Sequence, residues 1–460
     1  GLDVALYPSQ SKVVTQGHYV LENRSGAPLA QVHVNFFDPE LKVSQLELEG
    51  ATLKQELAGF GYRIFEFAQP LQPGARTTLR FATLREQRGF RHRGNDTRLV
   101  ANGSFLDNSE ITPALGVNRG EFLADRVKRR KYGLPPELRP ARLEDDTARA
   151  FNGLRRDSDW VNADLTVSTE ADQLVIAPGY LESERVQGDR RIARYRTDAP
   201  IQNFFSIQSA RYAVAKDRWR DVELAVYHHP PHDHNTATMI AAMKTSLEVF
   251  SEAFSPFQFR QLRILEFPAY ATFAQSFANT IPYSEAIGFI LNRKDPDDID
   301  MVTYVTAHEI GHQWWGHQLI SADQQGNTFL VESMAQYSAL LVMERTYGPE
   351  QIRKFLKLEM DKYLRARGGE RLEELPLERV ENQPYIHYQK GGIALYLLKL
   401  ELGEAVVNRT LQRLLQQYAL KPAPYPNPRD FLRVLREEAG PQHEQLIADL
   451  FERITLHDLK

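Results

Sequence analysis

Two histidines and a glutamate lie in one short segment of the sequence, His308-Glu309-Ile310-Gly311-His312. Four residues are close to one helical turn, so the two imidazoles of a helix project from the same face and can reach one zinc ion. Glu309 is rotated by about one hundred degrees from His308, close enough to act on a water molecule without binding the metal. The spacing predicts the zinc-binding and proton-transfer groups of a metallopeptidase, although so short a motif also arises by chance.

The chain around this motif predicts a single helix over residues 297–315. The segment opens with the acids Asp297, Asp298 and Asp300, which suit a helix N-terminus, and it contains no proline up to Trp315. Such a helix positions both histidines on one face.

A third protein ligand is needed, and its spacing separates two classes of zinc peptidase. The metzincin pattern places glycine three residues and histidine six residues after the second histidine, but Trp315 and Gln318 occupy those positions. His317 comes one residue too early. The other option is a glutamate from the following helix, and Glu332 lies at the start of a long helical pattern. We therefore predict Glu332 as the third ligand.

The two segments 308–316 and 331–337 resemble the gluzincin aminopeptidases of the aminopeptidase N type. More narrowly, they resemble the peptidase domain of bacterial fusions between an ABC-transporter permease and an aminopeptidase. The resemblance implies a zinc-dependent aminopeptidase with one catalytic Zn²⁺ ion and peptide substrates. The family usually has eighteen residues between the second histidine and the glutamate, whereas Gln313 to Val331 make nineteen. We expect the extra residue in the loop over residues 321–327.

Two further site residues follow from the resemblance alone. The family's catalytic tyrosine lies in a Tyr-x-Lys-Gly pattern, which Tyr388 to Gly391 match, and its phenol would stabilise the oxyanion. Tyr385 and His387 are close neighbours that could share this role. The family also has a Gly-x-Met-Glu-Asn strand whose glutamate binds the amino terminus of the substrate. Glu285 keeps that acid, while the glycine, methionine and asparagine are replaced.

The composition excludes several other chemistries. Basic and acidic side chains number 56 and 60, a balance that does not indicate nucleic acid as a partner, and the run 126–131 is typical of a solvated basic face. Because there are no cysteines, a metal must be bound by nitrogen and oxygen ligands. The histidine-rich stretch 228–234 contains two prolines and favours a polar turn, with a secondary metal site as the alternative.

The chain is long enough for two or three domains. Alternating apolar residues in 10–90 and 160–228 predict strands, and Met239 to Phe254 show a helical period. Two strand-like runs follow, at 262–267 and 287–291. We expect a multidomain α+β protein with an N-terminal all-β domain at 1–227. The resemblance implies that a thermolysin-like α/β catalytic domain occupies 228–402, and C-terminal helices, broken by a proline-rich turn at 422–428, fill 403–460.

Location and activity leave alternatives open. The resemblance implies a domain outside the cytoplasm, on the periplasmic side of a bacterial membrane. It would be tethered there with a transporter through segments beyond this chain. A peptide-binding or regulatory domain of such a transporter, with weak or no peptidase activity, is one alternative function. A zinc endopeptidase is another, because the strand around Glu285 departs from the family pattern.

Overall fold

A computed structural model describes residues 1–38, 41–87, 89, 98–117, 120, 122–295, 297–370, 372–381 and 383–455. Strands dominate the first half of the chain and helices the second. Within the described residues, no helix combines the length and the apolar character required to cross a membrane.

Short strands with alternating burial build the N-terminal half. Val4 and Leu6 of the first strand are fully buried, as the period of two along a half-buried strand requires. The strands are β1 (Leu2–Tyr7), β2 (Lys12–Glu22), β3 (Leu29–Asn35), β4 (Lys42–Leu48), β5 (Ala51–Leu57), β6 (Tyr62–Leu71), β7 (Arg76–Glu86), β8 (Ser104–Asp107), β9 (Ala114–Leu115), β10 (Trp160–Val161), β11 (Asp164–Glu170), β12 (Leu174–Ile176), β13 (Tyr180–Gln187), β14 (Arg190–Arg196), β15 (Ile201–Gln202) and β16 (Ser206–Ala210).

Two larger sheets organise these strands. One has the order β13-β14-β11-β1-β2-β7-β4 and the other β5-β6-β3-β9. Strand β1 pairs in parallel with β11, with Leu2 opposite Leu165, so the two strand-rich runs of the sequence form one unit. Apolar side chains from both runs, including Phe81 and Leu165, share a core.

A separate four-stranded sheet begins the part of the chain that carries the site. It contains β17 (Ala213–Trp219), β18 (Val222–His228), β19 (Gln261–Phe267) and β20 (Thr280–Ser284), in that order. Strands β18, β19 and β20 are parallel, and β17 pairs antiparallel with β18. The domain boundary predicted between residues 227 and 228 therefore falls inside β18. Strands β17 and β18 belong to this sheet, and the β18 residues Val222, Leu224 and Val226 pack in one core with the helices that follow.

One short helix, α1 (Arg126–Lys131), lies in the N-terminal half of the chain. In the described residues from 236 onwards, the helices are α2 (Thr236–Ala253), α3 (Met301–Gly311), α4 (Met334–Gly369), α5 (Gly391–Leu402), α6 (Glu404–Tyr418), α7 (Pro428–Ala439) and α8 (Glu444–Ile447). Helix α4 is kinked at Gly348, which has a φ of 78°, and at the following Pro349. Three π-helical turns lie at Phe329–Ser333, Tyr385–Lys390 and Ala448–Glu452. Short 3₁₀ turns occupy Pro8–Gln10, Ala58–Phe60, Asn108–Glu110, Asp146–Ala150, Leu377–Arg379 and Pro441–His443.

One continuous apolar core joins the sheet to these helices. It includes Phe250 of α2, Ile310 of α3, Tyr337 of α4 and Leu411 of α6. The predicted helix at 239–254 and the two C-terminal helices around the proline-rich turn are confirmed by α2, α6 and α7. The predicted α+β class, with an N-terminal β part, a central catalytic part and C-terminal helices, is likewise confirmed.

The strand predicted at 287–291 is wrong. These residues form a turn, and the strand lies earlier, at β20. The Asn235 side-chain amide donates to the carbonyl oxygens of Gly288, at 2.6 Å, and Leu291, at 2.8 Å. The carbonyl groups of Gly288 and Leu291 thus accept hydrogen bonds from a side chain instead of from a neighbouring strand.

Candidate metal centre

The motif-bearing helix α3 is shorter than its sequence pattern predicts. Asp300 caps its start by accepting a hydrogen bond from the Thr303 backbone N–H at 3.0 Å. The helix ends at Gly311 rather than near Trp315, because the chain turns there. This turn brings the Trp315 carbonyl within 3.0 Å of His312 Nδ1. That hydrogen bond orients the ring and leaves the His312 Nε2 lone pair free for another partner.

Glu332 lies within the π-helical turn Phe329–Ser333 that leads into α4. A π-helical turn has a wider hydrogen-bonded loop than an α-helical one and accommodates an additional residue. Turns of this kind are frequent at functional sites, because they re-aim one side chain without ending the helix.

Three potential ligand atoms converge at this point. The Nε2 atoms of His308 and His312 are 3.1 Å apart, and Glu332 Oε2 lies 3.4 Å from each of them. A tetrahedral zinc site with bonds of 2.0–2.1 Å has ligand atoms about 3.3–3.4 Å apart. The separations observed thus match the edges of such a site. We call His308, His312 and Glu332 the metal triad.

The electrostatics of the metal triad also suit a cation. Glu332 Oε2 is buried and accepts no hydrogen bond from the described residues. Burial would raise the pKa of Glu332, but the two imidazoles hold it well below its usual value. Burial opposes the charged form of His312, yet the negative Glu332 raises its pKa to about 9. A buried carboxylate with an unsatisfied oxygen, aimed at two imidazole nitrogens, is a donor set that fits Zn²⁺.

Glu309 lies on the same helix with 6% of its surface exposed. Burial raises the pKa of its carboxyl group, and the neighbouring His308 and His312 reduce that rise. A buried carboxyl group whose pKa is raised holds a proton more readily, which suits a group that takes up and releases a proton during a reaction.

Tyr388 reaches the metal triad from the second π-helical turn, Tyr385–Lys390. Its ring centroid lies 6.0 Å from that of His308 and 4.5 Å from that of His387. Burial, followed by the negative charge of Glu332, raises the pKa of its phenol, which therefore stays protonated. Burial lowers the pKa of His387 to about 4, so its imidazole is neutral at physiological pH.

Two close backbone contacts hold the elements of the site together. Gly311 of α3 packs on α4, where a Cβ would lie 3.2 Å from Ala335 Cα. Gly391 faces Ser333, and a Cβ there would lie 2.6 Å from Ser333 Cβ and overlap its Oγ. Ser333 Oγ in turn donates to the His387 carbonyl at 2.6 Å. The segment carrying Glu332 and the segment carrying Tyr388 thus depend on a glycine for their approach.

The side chains of the remaining predicted residues are not part of the metal triad. His317 Nε2 donates to the Ser276 carbonyl at 3.0 Å, and burial lowers its pKa to about 4. Glu285 Oε1 accepts a hydrogen bond from the Ala269 backbone at 2.9 Å, and His232 Nδ1 lies 3.7 Å from Glu285 Oε2. The described residues show no hydrogen bond or ion pair between Glu285 and the metal triad.

Sequence reasoning missed the partners of Glu285. The stretch 228–234 ends β18 and then turns, as predicted, but the turn places His232 against Glu266 and near Glu285. The only available signal was Glu266 itself, an acid at the end of an otherwise apolar strand. We call His232, Glu266 and Glu285 the His232 cluster.

Comparison with known proteins agrees with this geometry. Residues 239–453 match the family described as Peptidase family M1 domain. Endoplasmic reticulum aminopeptidase 2 of Homo sapiens is 24% identical over 210 residues, which cover 44% of this chain and 22% of that protein. Aminopeptidase M1 of Arabidopsis thaliana is 23% identical over 269 residues, covering 55% of this chain and 30% of that protein. The chain thus spans less than a third of either relative.

A solved structure of similar fold covers the whole chain. The M1 zinc metallopeptidase from Deinococcus radiodurans superposes with a TM-score of 0.69 at 16% identity, over 100% of this chain and 93% of that one. At this identity the likeness concerns the fold. The metal triad lies in the part of the chain that this fold and the family match share. The family match covers residues 239–453, which include all three residues of the metal triad.

The contact between Gly391 and Ser333 can be tested by substitution. Gly391→Ala should destabilise the fold by about 1–3 kcal/mol, because the added methyl overlaps a buried side chain. Gly368→Ala is the matched control, since no atom lies within 4 Å of that position on α4. The control should be neutral or stabilising by about 0.5–1 kcal/mol. Thermal and urea unfolding measure both, and equal stability of the two variants would contradict the packing described.

Proposed function

We propose that the chain is a zinc aminopeptidase with one catalytic Zn²⁺ ion held by His308, His312 and Glu332. The observation that carries the proposal is the convergence of three ligand atoms at 3.1–3.4 Å beside the buried Glu309. Zinc in such a site supplies a Lewis acid that polarises the scissile carbonyl and lowers the pKa of water. The other steps are assigned to side chains of this chain.

Glu309 acts as the general base and then as the general acid. It takes the proton of the attacking water and passes it to the leaving amine, which requires a carboxyl group that exchanges protons near neutral pH. Burial of Glu309 supports this role, because it raises the pKa of the carboxyl group. Its place on α3, one residue after His308, keeps it close to the reacting atoms without making it a ligand.

Tyr388 stabilises the negative charge that develops on the carbonyl oxygen. A protonated phenol can donate a hydrogen bond to that oxyanion, and it contributes most when it is fixed before the reaction. The proximity of Tyr388 to His308 and its raised pKa support the assignment. The neutral His387 packs against the Tyr388 ring and restricts its orientation.

Glu285 binds the free amino terminus of the peptide and so directs cleavage to the first peptide bond. A carboxylate forms charge-assisted hydrogen bonds with an ammonium group. The names of the two aminopeptidase relatives support this specificity. The Deinococcus radiodurans metallopeptidase was also solved, as a mutant, with a Tyr-Ser-Ala substrate, which supports short peptides as substrates here.

We also propose that the native protein is tethered outside the cytoplasm, with a transporter, through segments beyond this chain. The resemblance of the 308–316 and 331–337 segments to transporter-fused peptidases supports this location. Fractionation of cells that express the full-length gene tests the proposal. Recovery of the protein in the membrane fraction, accessible to protease from the periplasm, is expected, whereas a cytosolic protein would refute it.

Substitution of Glu309 and Glu332 should separate chemistry from metal binding. Glu309→Gln keeps the shape but cannot accept a proton, so it should retain zinc and lose at least about a hundredfold in kcat. Glu332→Gln should instead lower the zinc content well below that of the wild type, because a charged ligand is lost. Metal analysis after dialysis and a peptidase assay measure both.

The exposed Glu248→Gln on α2 serves as the control for the loss of one acidic group. It should leave zinc content and kcat unchanged. Full activity in Glu309→Gln, or full zinc content in Glu332→Gln, would disprove the corresponding role.

A matched pair of substrates distinguishes the candidate activities. The zinc-loaded protein should cleave an aminoacyl fluorogenic amide but not its N-acetylated counterpart, because acetylation removes the ammonium group that Glu285 binds. Cleavage of both substrates would identify an endopeptidase. Cleavage of neither would favour a peptide-binding or regulatory domain.

A further inference from the structure

The His232 cluster lies where three parallel strands end on the same edge of the sheet. His232 follows β18, Glu266 is the penultimate residue of β19, and Glu285 directly follows β20. The carboxyl ends of parallel strands are where open α/β sheets bind their ligands. Register places Glu266 beside Tyr283, which packs in the same apolar core as Ile310 of α3. The cluster is therefore on the side of the sheet that faces the helix α3.

The two carboxylates of the cluster differ in their contacts. Glu266 is fully buried, and its oxygens accept hydrogen bonds from His232 Nδ1 and from the His229 backbone, the latter at 2.6 Å. Glu285 is partly exposed, with 21% of its side chain accessible. Its Oε1 accepts from the Ala269 backbone, whereas Oε2 accepts no hydrogen bond from the described residues. Glu285 Oε2 is thus the acceptor that remains open.

The charge of the cluster is not balanced by neighbouring basic side chains. In the described part of the chain no lysine or arginine forms an ion pair with Glu266 or Glu285, and the side chain that pairs with both is that of His232. Burial lowers the pKa of the nearby His229, which leaves it uncharged near neutral pH. Burial also raises the pKa of Glu266 to about 7, because the hydrogen bonds from His232 and the His229 backbone offset only part of the cost of burying its charge. A cationic ligand would relieve that cost.

The separations within the cluster favour an ammonium group over a metal ion. His232 and Glu266 are in direct hydrogen-bond contact, which leaves no space for an ion between them. In the metal triad, by contrast, the ligand atoms stand 3.1–3.4 Å apart, as bonds to one zinc ion require. An ammonium group needs only open acceptor oxygens, and Glu285 Oε2 is one.

We propose that His232 and Glu266 are positioning residues for recognition of the substrate's α-ammonium group by Glu285. Glu266 accepts the hydrogen bond from the imidazole N–H of His232. The ring nitrogen therefore stays 3.7 Å from Glu285 Oε2, which is too far for a hydrogen bond. Without the Glu266 carboxylate, His232 turns to Glu285 and occupies the oxygen that the ammonium group needs. This inference rests on the proposed aminopeptidase function, and it extends the amine site to two residues that do not touch the substrate.

Binding in a Glu309→Gln background tests the inference separately from turnover. Calorimetry with a tripeptide and its N-acetylated twin gives a selectivity ratio for the free amine. We expect a ratio of about ten or more in the parent, since a hydrogen bond between charged groups is lost on acetylation. Glu285→Gln should bring the ratio close to one, and Glu266→Gln should reduce it about three- to tenfold.

The double substitution distinguishes positioning from a general structural effect. If Glu266 acts through Glu285, then Glu266→Gln combined with Glu285→Gln should bind no more weakly than Glu285→Gln alone. If Glu266→Gln does not fold, His232→Gln can replace it, because His232 is only half-buried. This variant should also lower the selectivity ratio for the free amine. A glutamine amide has two N–H donors, so it can donate to Glu266 and also occupy Glu285 Oε2. Glu248→Gln is again the control.

Three results would overturn the inference. The first is an unchanged selectivity ratio in Glu266→Gln. The second is a double variant whose loss of binding equals the sum of the losses in Glu266→Gln and Glu285→Gln. The third is a parent protein that binds a second metal ion per chain, which Glu266→Gln loses. The last result would make the cluster a metal site. A failure of the proposed function would look different. The zinc-loaded wild type would then not cleave the free aminoacyl amide, but the Glu309→Gln protein would still bind the free tripeptide more tightly than its N-acetylated twin.

Discussion

The site depends on bringing two imidazoles and a carboxylate from two helical segments within 3.4 Å of one another. Such proximity is unfavourable in an isolated chain, because a buried carboxylate with an open oxygen carries a large desolvation cost. The surrounding core must therefore fix α3 against α4. Gly311 allows the two helices to approach, and the hydrogen bond from Trp315 Nε1 to Ser338 Oγ, at 3.0 Å, secures the turn that follows α3.

Both groups that come to the site from outside α3 lie in π-helical turns. Glu332 belongs to Phe329–Ser333, and Tyr388 to Tyr385–Lys390. A π-helical turn is rare and needs support from its surroundings. Here the support includes the hydrogen bond between Ser333 and the His387 carbonyl, and the glycine that follows Lys390. Lys390 is itself buried and bound to Glu374 at 2.6 Å. Local backbone geometry and catalytic geometry are therefore stabilised by the same contacts.

Much of this arrangement could be predicted from the sequence, and the reasons for success and failure are physical. The spacing of His308 and His312 reflects one helical turn, which is a local property of the chain. The position of Glu332 followed from its place at the start of a long helical pattern. The π-helical turn could not be predicted, because its cause is tertiary packing. The strand expected at 287–291 was wrong for a similar reason: its carbonyls bond to a distant asparagine, Asn235.

The His232 cluster shows the limit of local patterns most clearly. His232, Glu266 and Glu285 are separated by 34 and 19 residues in sequence, and only the parallel pairing of β18, β19 and β20 brings them to one edge. The stretch 228–234 could be recognised as a turn, but not as the partner of an acid on the next strand.

A crystal of the zinc-loaded protein, measured on both sides of the zinc absorption edge, tests the central claim most directly. The account predicts one anomalous peak per chain, about 2.0–2.1 Å from the Nε2 atoms of His308 and His312 and from an Oε atom of Glu332. Absence of that peak, or a peak at His232 and Glu266 in its place, would contradict it.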